Sequence, residues 1–160
     1  MMNRLTLLIG GNQGDRRLLI EEATVLIAKR IGTVVLASDI YETEPWGNFG
    51  DERPQPFLNK ALLVETDLTA RESLNEALAI EAELGRHRPA DRHHYHSRTM
   101  DIDLIFFNNE VIDTPDLLIP HPRMHLRRFV LEPLAEIMPT YVHPLLGRTV
   151  ADLLDGLQEG

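Results

Sequence analysis

The order of strand and helix patterns along this chain limits its possible folds more than any other feature of the sequence. Short runs of β-branched and other apolar residues predict strands, and longer runs with apolar residues three or four positions apart predict helices. The predicted elements are a strand at 3–9, a helix following Asp15 to about Arg30, strands at 33–43 and 57–66, a helix opened by Thr69 and running to about Leu84, and a strand at 101–107. The order β-α-β-β-α-β is typical of an α+β, ferredoxin-like sandwich, in which two helices cover one face of a four-stranded, mostly antiparallel sheet.

Local signals mark where the two helices begin and end. Asp15 is a candidate N-cap for the first helix and Gly32 is its stop. Thr69 and Glu72 have the spacing of a capping box at the start of the second helix. The residues expected to face the core are Leu19, Ala23, Leu26 and Arg30 on the first helix and Leu74, Ala77, Ile80 and Leu84 on the second.

The remainder of the chain predicts a C-terminal extension of the same domain. Residues 108–110 have the composition of a turn, a short helix is expected at Pro133–Ile137, and another begins near Thr149. No repeat, low-complexity tract or linker interrupts the sequence, so we expect one domain over residues 1–160. In the expected sheet the first and last strands are central neighbours, and the face opposite the two helices is left for a ligand.

Two aspartates one residue apart lie in the last predicted strand. Side chains alternate between the faces of a strand, so Asp101 and Asp103 share one face, with Cα atoms about 6.6 Å apart. Ile102 and Leu104 then share the other face. Paired carboxylates at this spacing suit one or two Mg²⁺ ions whose coordination is completed by phosphate oxygens. The alternative is a solvated strand face, which is the ordinary interpretation of such a pair in isolation.

A basic segment precedes these aspartates and favours the metal and phosphate interpretation. Residues 86–98 contain four arginines and four histidines against a single acid, Asp91. Arginine binds phosphate oxygens through two parallel hydrogen bonds and stays charged, so this cluster beside two carboxylates predicts a nucleoside triphosphate site. Solvated arginines and a zinc site are the alternatives, although His93, His94 and His96 lack the helical i, i+4 spacing of zinc enzymes.

Three further patterns leave a structural and a functional interpretation open. The glycine-rich run 10–14 follows a strand but matches neither common phosphate-binding loop, so a tight turn is its default interpretation. The segment 120–128, with His121 and three arginines, either extends the anion site or forms a surface loop. Phe57 and Asn59 alternate onto one face, and with Phe129 they suit either a flat heteroaromatic ring or core packing.

Composition limits the classes of partner. A formal net charge of −9, with basic residues concentrated in two segments, argues against nucleic acid and favours a small anionic ligand. No apolar run approaches the roughly 18 residues of a membrane span, and the first residues lack the pattern of a signal peptide. The absence of cysteine excludes disulfides and thiolate metal sites. We expect a cytoplasmic monomer with no membrane association.

With these residues in view, the chain resembles the 6-hydroxymethyl-7,8-dihydropterin pyrophosphokinase (HPPK) family of folate biosynthesis. The resemblance covers nearly the whole length, and its motifs in order are 10–15, 41–47, 57–59, 85–88, 97–103 and 119–123, followed by Arg127, Phe129 and Pro133-Leu134. The run Arg-Thr-Met-Asp-Ile-Asp followed by Pro-His-Pro-Arg is its most specific part. Gly11 stands where the family usually has serine, and residues 89–96 are rich in histidine where many members have Arg-Trp-Gly-Pro or a similar run.

The resemblance implies an enzyme that transfers pyrophosphate from ATP to the hydroxymethyl group of the pterin and releases AMP. Two Mg²⁺ ions would be held by Asp101 and Asp103, and catalysis, in which Arg86 and Arg98 take part, would rest on positioning and charge neutralisation. The residues implied for ATP are Glu81, Arg86, Arg88, Arg98, Leu104, His121 and Arg127. The residues implied for the pterin are Thr43, Glu44, Pro45, Trp46, Gly47, Phe57, Asn59 and Phe129.

Two other functions stay open on the sequence alone. A nucleotidyltransferase with a ferredoxin-like palm also uses spaced aspartates and two metals, but it releases pyrophosphate and leaves AMP on the acceptor. A regulatory domain of the same fold would bind a nucleotide without turnover and would not depend on Asp101 or Asp103. The released product, AMP or pyrophosphate, separates the two enzymes.

Overall fold

The computed structural model describes residues 2–43, 56–85 and 100–157, and within them the chain forms seven strands and four α-helices. The strands are β1 (Asn3–Gly11), β2 (Thr33–Ala37), β3 (Tyr41–Thr43), β4 (Phe57–Thr66), β5 (Asp101–Phe107), β6 (Ile112–Thr114) and β7 (Leu117–Ile119). The helices are α1 (Arg16–Arg30), α2 (Ala70–Leu84), α3 (Arg128–Ile137) and α4 (Val150–Asp155), with a 3₁₀ turn at Met124–Leu126. None of the described helices is long and apolar enough to cross a membrane.

The main sheet is antiparallel throughout, which confirms a mixed α and β fold with an antiparallel sheet. Its strand order is β2-β4-β1-β5, and β3 pairs with β4 beyond the end of β2. The first and last predicted strands are neighbours, as expected. The expectation that both are central is wrong for β5, because β1 and β4 occupy the centre and β5 ends the strand order in the described part of the chain. Asp101 and Asp103 therefore lie on an edge strand.

The predicted strand at 33–43 is two strands, and Ser38 is where they separate. The Ser38 backbone N–H donates to the carbonyl of Ala61 (2.9 Å), and the Ser38 hydroxyl oxygen accepts from the N–H of Ala61 (2.9 Å). A side-chain oxygen thus takes the place of a backbone carbonyl in the ladder, which ends the pairing of β2. The chain resumes pairing as β3, with Tyr41 opposite Asn59.

Helices cover both faces of the sheet, and this corrects the expectation of one open face. Buried residues of α1 and α2, such as Ile27 and Ile80, pack with the β1 side chains Leu5 and Leu7 on one face. On the other face, α3 and α4 pack over Leu8, Ala61, Ile105 and Phe106. The C-terminal helices are apolar on their inner side, so they bury this end of the second face. The opposite end of that face, around Gly10 and Asn59, carries the candidate site.

Helix ends follow the predicted signals more closely than helix faces do. The Asp15 carboxylate accepts from the N–H of Leu18 (3.2 Å), and Thr69 and Glu72 form the complete capping box. On α1 the fully buried residues are Ile20, Ala23 and Ile27, so the predicted stripe is displaced by one position at Leu19 and Leu26. Arg30 is not a core residue, because its guanidinium pairs with Glu76 (3.2 Å) and Glu83 (2.6 Å) on α2.

The C-terminal extension contains two predicted helices and one unpredicted hairpin. Helix α4 begins after its N-cap Thr149, as expected. Helix α3 begins at Arg128, five residues before the predicted start, and places Pro133 inside the helix. Proline is common in a first helical turn and disfavoured later, but Pro133 is buried in the core, and this burial offsets the lost hydrogen bond. Strands β6 and β7 pair as a hairpin from Ile112 to Ile119.

Gly10 provides a direct test of the central register. A Cβ at this position would lie 2.0 Å from the Leu58 carbonyl oxygen and 2.7 Å from the Asn59 Oδ1 atom. Gly10→Ala should therefore lower the free energy of unfolding by about 2 kcal/mol or more, because the clash is with a backbone atom of a paired strand. Urea denaturation measures this change. Gly156→Ala is the control, since Gly156 has helical φ and ψ angles, and it should change stability by less than about 0.5 kcal/mol; equal effects would contradict the register.

Candidate active site

A row of three paired residues crosses the centre of the sheet at the open end of its second face. Gly10 on β1 lies opposite Asn59 on β4 and opposite Asp101 on β5. Directly opposite residues in antiparallel strands turn their side chains to the same face, so Asn59 and Asp101 flank Gly10. Gly10 has no side chain, and the Leu58 carbonyl oxygen and the Asn59 Oδ1 atom occupy the place where a Cβ would lie, so β1 presents only backbone between the amide and the carboxylate. Two residues before Gly10 on β1, Leu8 lies opposite Ala61 on β4 and opposite Asp103 on β5.

The two aspartates share the predicted face of β5. Ile102 and Leu104 are 5% and 6% exposed in the core with α1 and α2, whereas Asp101 and Asp103 are half-buried and face the opposite side. The predicted alternation is therefore confirmed from Asp101 to Leu104. Beyond Leu104 it is wrong, because a bulge places Ile105 and Phe106 together in the core of the second face, whereas Phe106 was expected to share the face of Ile102 and Leu104. The edge position of β5 leaves the aspartates accessible from the side as well as from above the sheet.

Glu81 brings a third carboxylate to the same place from the last turns of α2. Its Oε2 atom accepts a hydrogen bond from the N–H of Ile102 at 2.6 Å, between the two aspartates in the sequence. Burial raises the pKa of Glu81 to about 7, against the lowering effect of the Ile102 hydrogen bond, and the nearby Asp101 and Asp103 raise this pKa further. Three acidic groups crowded in one place repel one another, and a bound cation would relieve this repulsion.

His121 is held beside the aspartates by a bulge in β5. The register between β1 and β5 shifts after Thr6, leaving Ile105 as an extra residue on β5, and the Ile105 carbonyl accepts from the His121 backbone N–H at 3.1 Å. Burial and, less strongly, the charge of Arg127 lower the pKa of His121, while Asp101 raises it. The lowered pKa favours a neutral imidazole near the aspartates at neutral pH.

A pocket of about 390 Å³ runs along the edge of β5 between α2 and the β6–β7 hairpin. One part of its lining is polar and contains Glu81, Asp101, Asp103 and His121. The other part, called here the apolar end, is mainly apolar and contains Leu74, Leu78, Leu104, Pro115, Leu117 and Leu118, together with Asp116 of the hairpin. The hairpin is held against α2 by Arg71, which bonds Asp116 at 2.5 Å and Thr114 at 3.2 Å. This wall was not predicted from the sequence, although Pro115-Asp116 between two short apolar runs is a turn signal.

A second group of predicted residues lies on the β4 side of Gly10, away from Asp101 and Asp103. Phe57 and Asn59 are two residues apart on β4 and share the face of Asp101, and Thr43 on β3 is paired with Phe57. Asn59 is 8% exposed. Phe129, at the start of α3, packs against the core of the same sheet face, and the Arg127 guanidinium lies 5.6 Å from the centre of its ring.

Several predicted site residues fall outside the part of the chain that the structure describes. These residues are Glu44, Pro45, Trp46, Gly47, Arg86, Arg88 and Arg98. Their roles, including those of the arginine cluster, stay predictions. Across residues 2–43, 56–85 and 100–157, no three histidine, aspartate or glutamate side chains converge as one metal-ligand set, so the site presents the two aspartates without a third protein ligand from these ranges.

The sequence of this chain is similar to the sequences of known proteins over most of its length. The family model described as 7,8-dihydro-6-hydroxymethylpterin-pyrophosphokinase (HPPK) matches residues 6–139. A 2-amino-4-hydroxy-6-hydroxymethyldihydropteridine pyrophosphokinase of Bacillus subtilis is 42% identical over 138 residues, covering 86% of this chain and 79% of the relative. An enzyme of the same name from Porphyromonas gingivalis is 38% identical over 137 residues, covering 85% of this chain and 90% of the relative.

Solved structures with the same fold are larger proteins. An HPPK-DHPS structure in complex with substrates superposes with a TM-score of 0.75 at 18% identity, covering 97% of this chain and 43% of that chain. The wild-type HPPK-DHPS of Plasmodium falciparum gives a TM-score of 0.73 at 18% identity, covering 97% of this chain and 44% of that chain. The chain thus spans less than half the length of these structures, and at this identity the likeness concerns the fold.

The raised pKa of Glu81 predicts how stability depends on pH in the absence of metal. The folded protein keeps this proton up to about pH 7, whereas the unfolded chain releases it near the ordinary value of 4.5. Between these values the folded state binds more protons, so the free energy of unfolding falls as pH rises. Glu81→Gln removes this effect. Between pH 4.5 and pH 7.5 the free energy of unfolding of the wild type should therefore fall, relative to that of Glu81→Gln, by on the order of 1 kcal/mol after allowance for solvation.

Urea denaturation at both pH values measures this difference. Glu22→Gln, on the exposed face of α1, is the matched control for loss of one charge. Identical pH dependence in the wild type and Glu81→Gln would show that Glu81 does not retain its proton in the folded protein.

Proposed function

Because the chain belongs to the 7,8-dihydro-6-hydroxymethylpterin-pyrophosphokinase family, we propose that the reaction of this family takes place across the row Asn59, Gly10 and Asp101. The protein is an enzyme of folate biosynthesis that transfers pyrophosphate from ATP to the hydroxymethyl group of 6-hydroxymethyl-7,8-dihydropterin. The products are the pterin diphosphate and AMP. The observation that carries the location is the row itself, in which the predicted pterin residue Asn59 lies on one side of Gly10 and the predicted metal residue Asp101 on the other.

Asp101 and Asp103 are the residues that would hold Mg²⁺, and two ions are proposed. The donor set fits this metal, because carboxylates are hard oxygen ligands and Mg²⁺ usually takes only one or two of them, with phosphate oxygens and water as its other ligands. The crowding of Glu81 with both aspartates is a second indication that a cation belongs here. Bound Mg²⁺ would supply neutralisation of the triphosphate charge and polarisation of the β-phosphoryl group.

The apolar end of the pocket is the proposed place of the adenine ring. On an edge strand, every second residue directs its N–H and C=O away from the neighbouring strand. Ile102 does so, because its N–H reaches Glu81, and Leu104, two residues on, is expected to direct its backbone groups the same way. The Leu104 backbone groups are proposed to point into the pocket beside Leu74 and Leu117, where they can hydrogen-bond the edge of a purine.

His121 and Arg127 are the described residues proposed to bind the triphosphate. Arg127 keeps its charge and can bond two phosphate oxygens, and a neutral His121 can donate one hydrogen bond to a further oxygen. Arg86, Arg88 and Arg98 are proposed to complete this contact set, with Arg86 and Arg98 stabilising charge that develops during transfer. Glu81 is proposed to lie near the nucleotide, where its bond to Ile102 fixes the strand between the aspartates.

The pterin is proposed to lie against Phe57, Asn59 and Phe129. The two aromatic rings suit the faces of a flat heterocycle, and the Asn59 amide offers a donor and an acceptor to its polar edge. Thr43, together with Glu44, Pro45, Trp46 and Gly47, would line the rest of this pocket. A pterin held there can direct its hydroxymethyl oxygen across Gly10 toward Asp101, because β1 has no side chain that projects between Asn59 and Asp101.

This arrangement accounts for the chemistry by proximity and electrostatics. The hydroxymethyl oxygen forms a bond to the β-phosphorus of ATP as the bond from that phosphorus to the bridging α-β oxygen breaks, and AMP leaves. Holding both substrates in line removes much of the entropic cost of their encounter. Cationic groups around the triphosphate stabilise the charge of the transition state more than that of the ground state.

Other features of the protein are proposed on the same basis. The strand order β2-β4-β1-β5 with α1 and α2 on one face supports a ferredoxin-like sandwich, to which residues 108–157 add a C-terminal extension. We propose a monomer that acts in the cytoplasm on small-molecule substrates, without nucleic acid or membrane partners. The nucleotidyltransferase and the non-catalytic alternatives are not favoured, since the family match points to a pyrophosphokinase.

Asp103→Asn is the sharpest test of the metal proposal. The substitution keeps the size of the side chain but removes the charged oxygen ligand, so kcat in Mg²⁺ should fall more than about a hundredfold. AMP and pterin diphosphate are measured with ATP and 6-hydroxymethyl-7,8-dihydropterin as substrates. Asp113→Asn, in exposed β6, is the matched control and should retain the wild-type rate. Near-normal turnover in Asp103→Asn would refute the metal site, and pyrophosphate with AMP-pterin would refute pyrophosphoryl transfer.

Asn59→Ala tests the pterin proposal separately from the nucleotide. Loss of a buried hydrogen-bonding amide should raise KM for the pterin about tenfold and leave KM for ATP within about twofold. The single tryptophan, Trp46, is a built-in probe, and pterin binding should quench its fluorescence in the wild type at lower pterin concentration than in Asn59→Ala. Asn75→Ala, on the exposed face of α2, is the control. Equal pterin affinity in all three proteins would remove Asn59 from the site.

A further inference from the structure

Arg16, the first residue of α1, joins two places that are far apart in the sequence but adjacent in the sheet. Its Nη1 atom donates to the carbonyl oxygen of Pro56 at 2.8 Å and lies 3.7 Å from the Glu42 carboxylate. The Arg16 side chain is 23% exposed and the Glu42 side chain 59% exposed, so the hydrogen bond to Pro56 is the stronger contact and the ion pair with Glu42 the weaker one. One guanidinium therefore contacts both strands at the end where β3 and β4 are paired.

The two partners of Arg16 directly precede residues of the proposed pterin pocket. Glu42 comes before Thr43 at the end of β3, and Pro56 comes before Phe57 at the start of β4. Thr43 and Phe57 are themselves paired across the two strands. The positions of Thr43 and Phe57 depend on the residues that precede them. Arg16 bonds the Pro56 carbonyl before β4 and contacts the Glu42 side chain on β3.

Arg16 acts from the face of the sheet opposite the proposed ligand. Successive side chains of β3 alternate, so Glu42 points toward α1 while Tyr41 and Thr43 point to the other face. On that other face the Tyr41 hydroxyl donates to Glu136 of α3 at 2.7 Å. A strand of three residues makes few ladder hydrogen bonds, and β3 is therefore held by side-chain contacts from α1 on one face and from α3 on the other.

We propose that Arg16 is a positioning residue for the pterin pocket, holding Thr43 and Phe57 in register through Glu42 and Pro56. This inference rests on the proposed placement of the pterin. Arginine suits the task because its planar guanidinium offers several donors in fixed directions, so it can serve a carboxylate and a carbonyl together. Lysine has the same charge but lacks that geometry, so Arg16→Lys separates geometry from charge.

The test compares Arg16→Ala and Arg16→Lys with Arg17→Ala, which removes the same charge from the exposed neighbouring position. KM for the pterin should rise about tenfold in Arg16→Ala, and by a smaller factor in Arg16→Lys, while KM for ATP stays within about twofold. Arg17→Ala should match the wild type in both KM values. Equal pterin KM values in Arg16→Ala and Arg17→Ala would overturn the proposal, as would a parallel rise in KM for both substrates.

Two further variants keep the outcome interpretable. Glu42→Gln removes one charge of the pair and leaves the bond to Pro56, so it should raise the pterin KM less than Arg16→Ala; the double variant should be no worse than Arg16→Ala alone. Fully additive effects would overturn the linkage. Asn59→Ala separates failure of the Arg16 proposal from failure of the pterin placement. A rise in pterin KM in Asn59→Ala but not in Arg16→Ala would reject only the role of Arg16. No rise in either variant would reject the placement of the pterin.

Discussion

The antiparallel pairing of β1 with both β4 and β5 is the constraint on which the rest of the structure depends. This pairing sets Gly10 opposite Asn59 on one side and Asp101 on the other. The contact is close, since any side chain on β1 at this point would collide with the Leu58 carbonyl. Because Gly10 has no side chain, β4 can approach β1 this closely, and β1 presents only backbone between the proposed pterin residues and the proposed metal residues. Close packing and the proposed function therefore both favour glycine at this position.

The clustered acidic groups of the site lower the stability of the protein when no ligand is bound. Glu81, Asp101 and Asp103 are brought together by α2 and β5, and burial with mutual repulsion raises the pKa of Glu81 to about 7. A fold that only maximised stability would not gather three acids at one edge of the sheet. The arrangement is consistent with a site whose charge is balanced by cations that arrive with the nucleotide, so binding energy repays a cost already present in the fold.

Features fixed by local pattern were predictable from the sequence, and features fixed by distant contacts were not. The strand at 57–66, the capping box of α2 and the alternation from Asp101 to Leu104 depend on neighbouring residues, and all are confirmed. The break at Ser38 depends on Ala61, and the edge position of β5 depends on the whole strand order, so neither follows from spacing alone. In the site, the carboxylate pair was visible, whereas the hairpin wall and the bond of Glu81 to Ile102 required tertiary structure.

The central claim is that metal and nucleotide bind at Asp101 and Asp103, beside Gly10. Paramagnetic broadening of the amide resonances of ¹⁵N-labelled protein tests this claim most directly. Mn²⁺ added with a non-hydrolysable ATP analogue should broaden the amide resonances of Gly10, Ile102 and Asp103 beyond detection. The amide of Gly32, near the far end of β4, should stay sharp. This is the result that the account predicts, and it should disappear in Asp103→Asn. Broadening centred on another part of the described chain, or unchanged in Asp103→Asn, would contradict it.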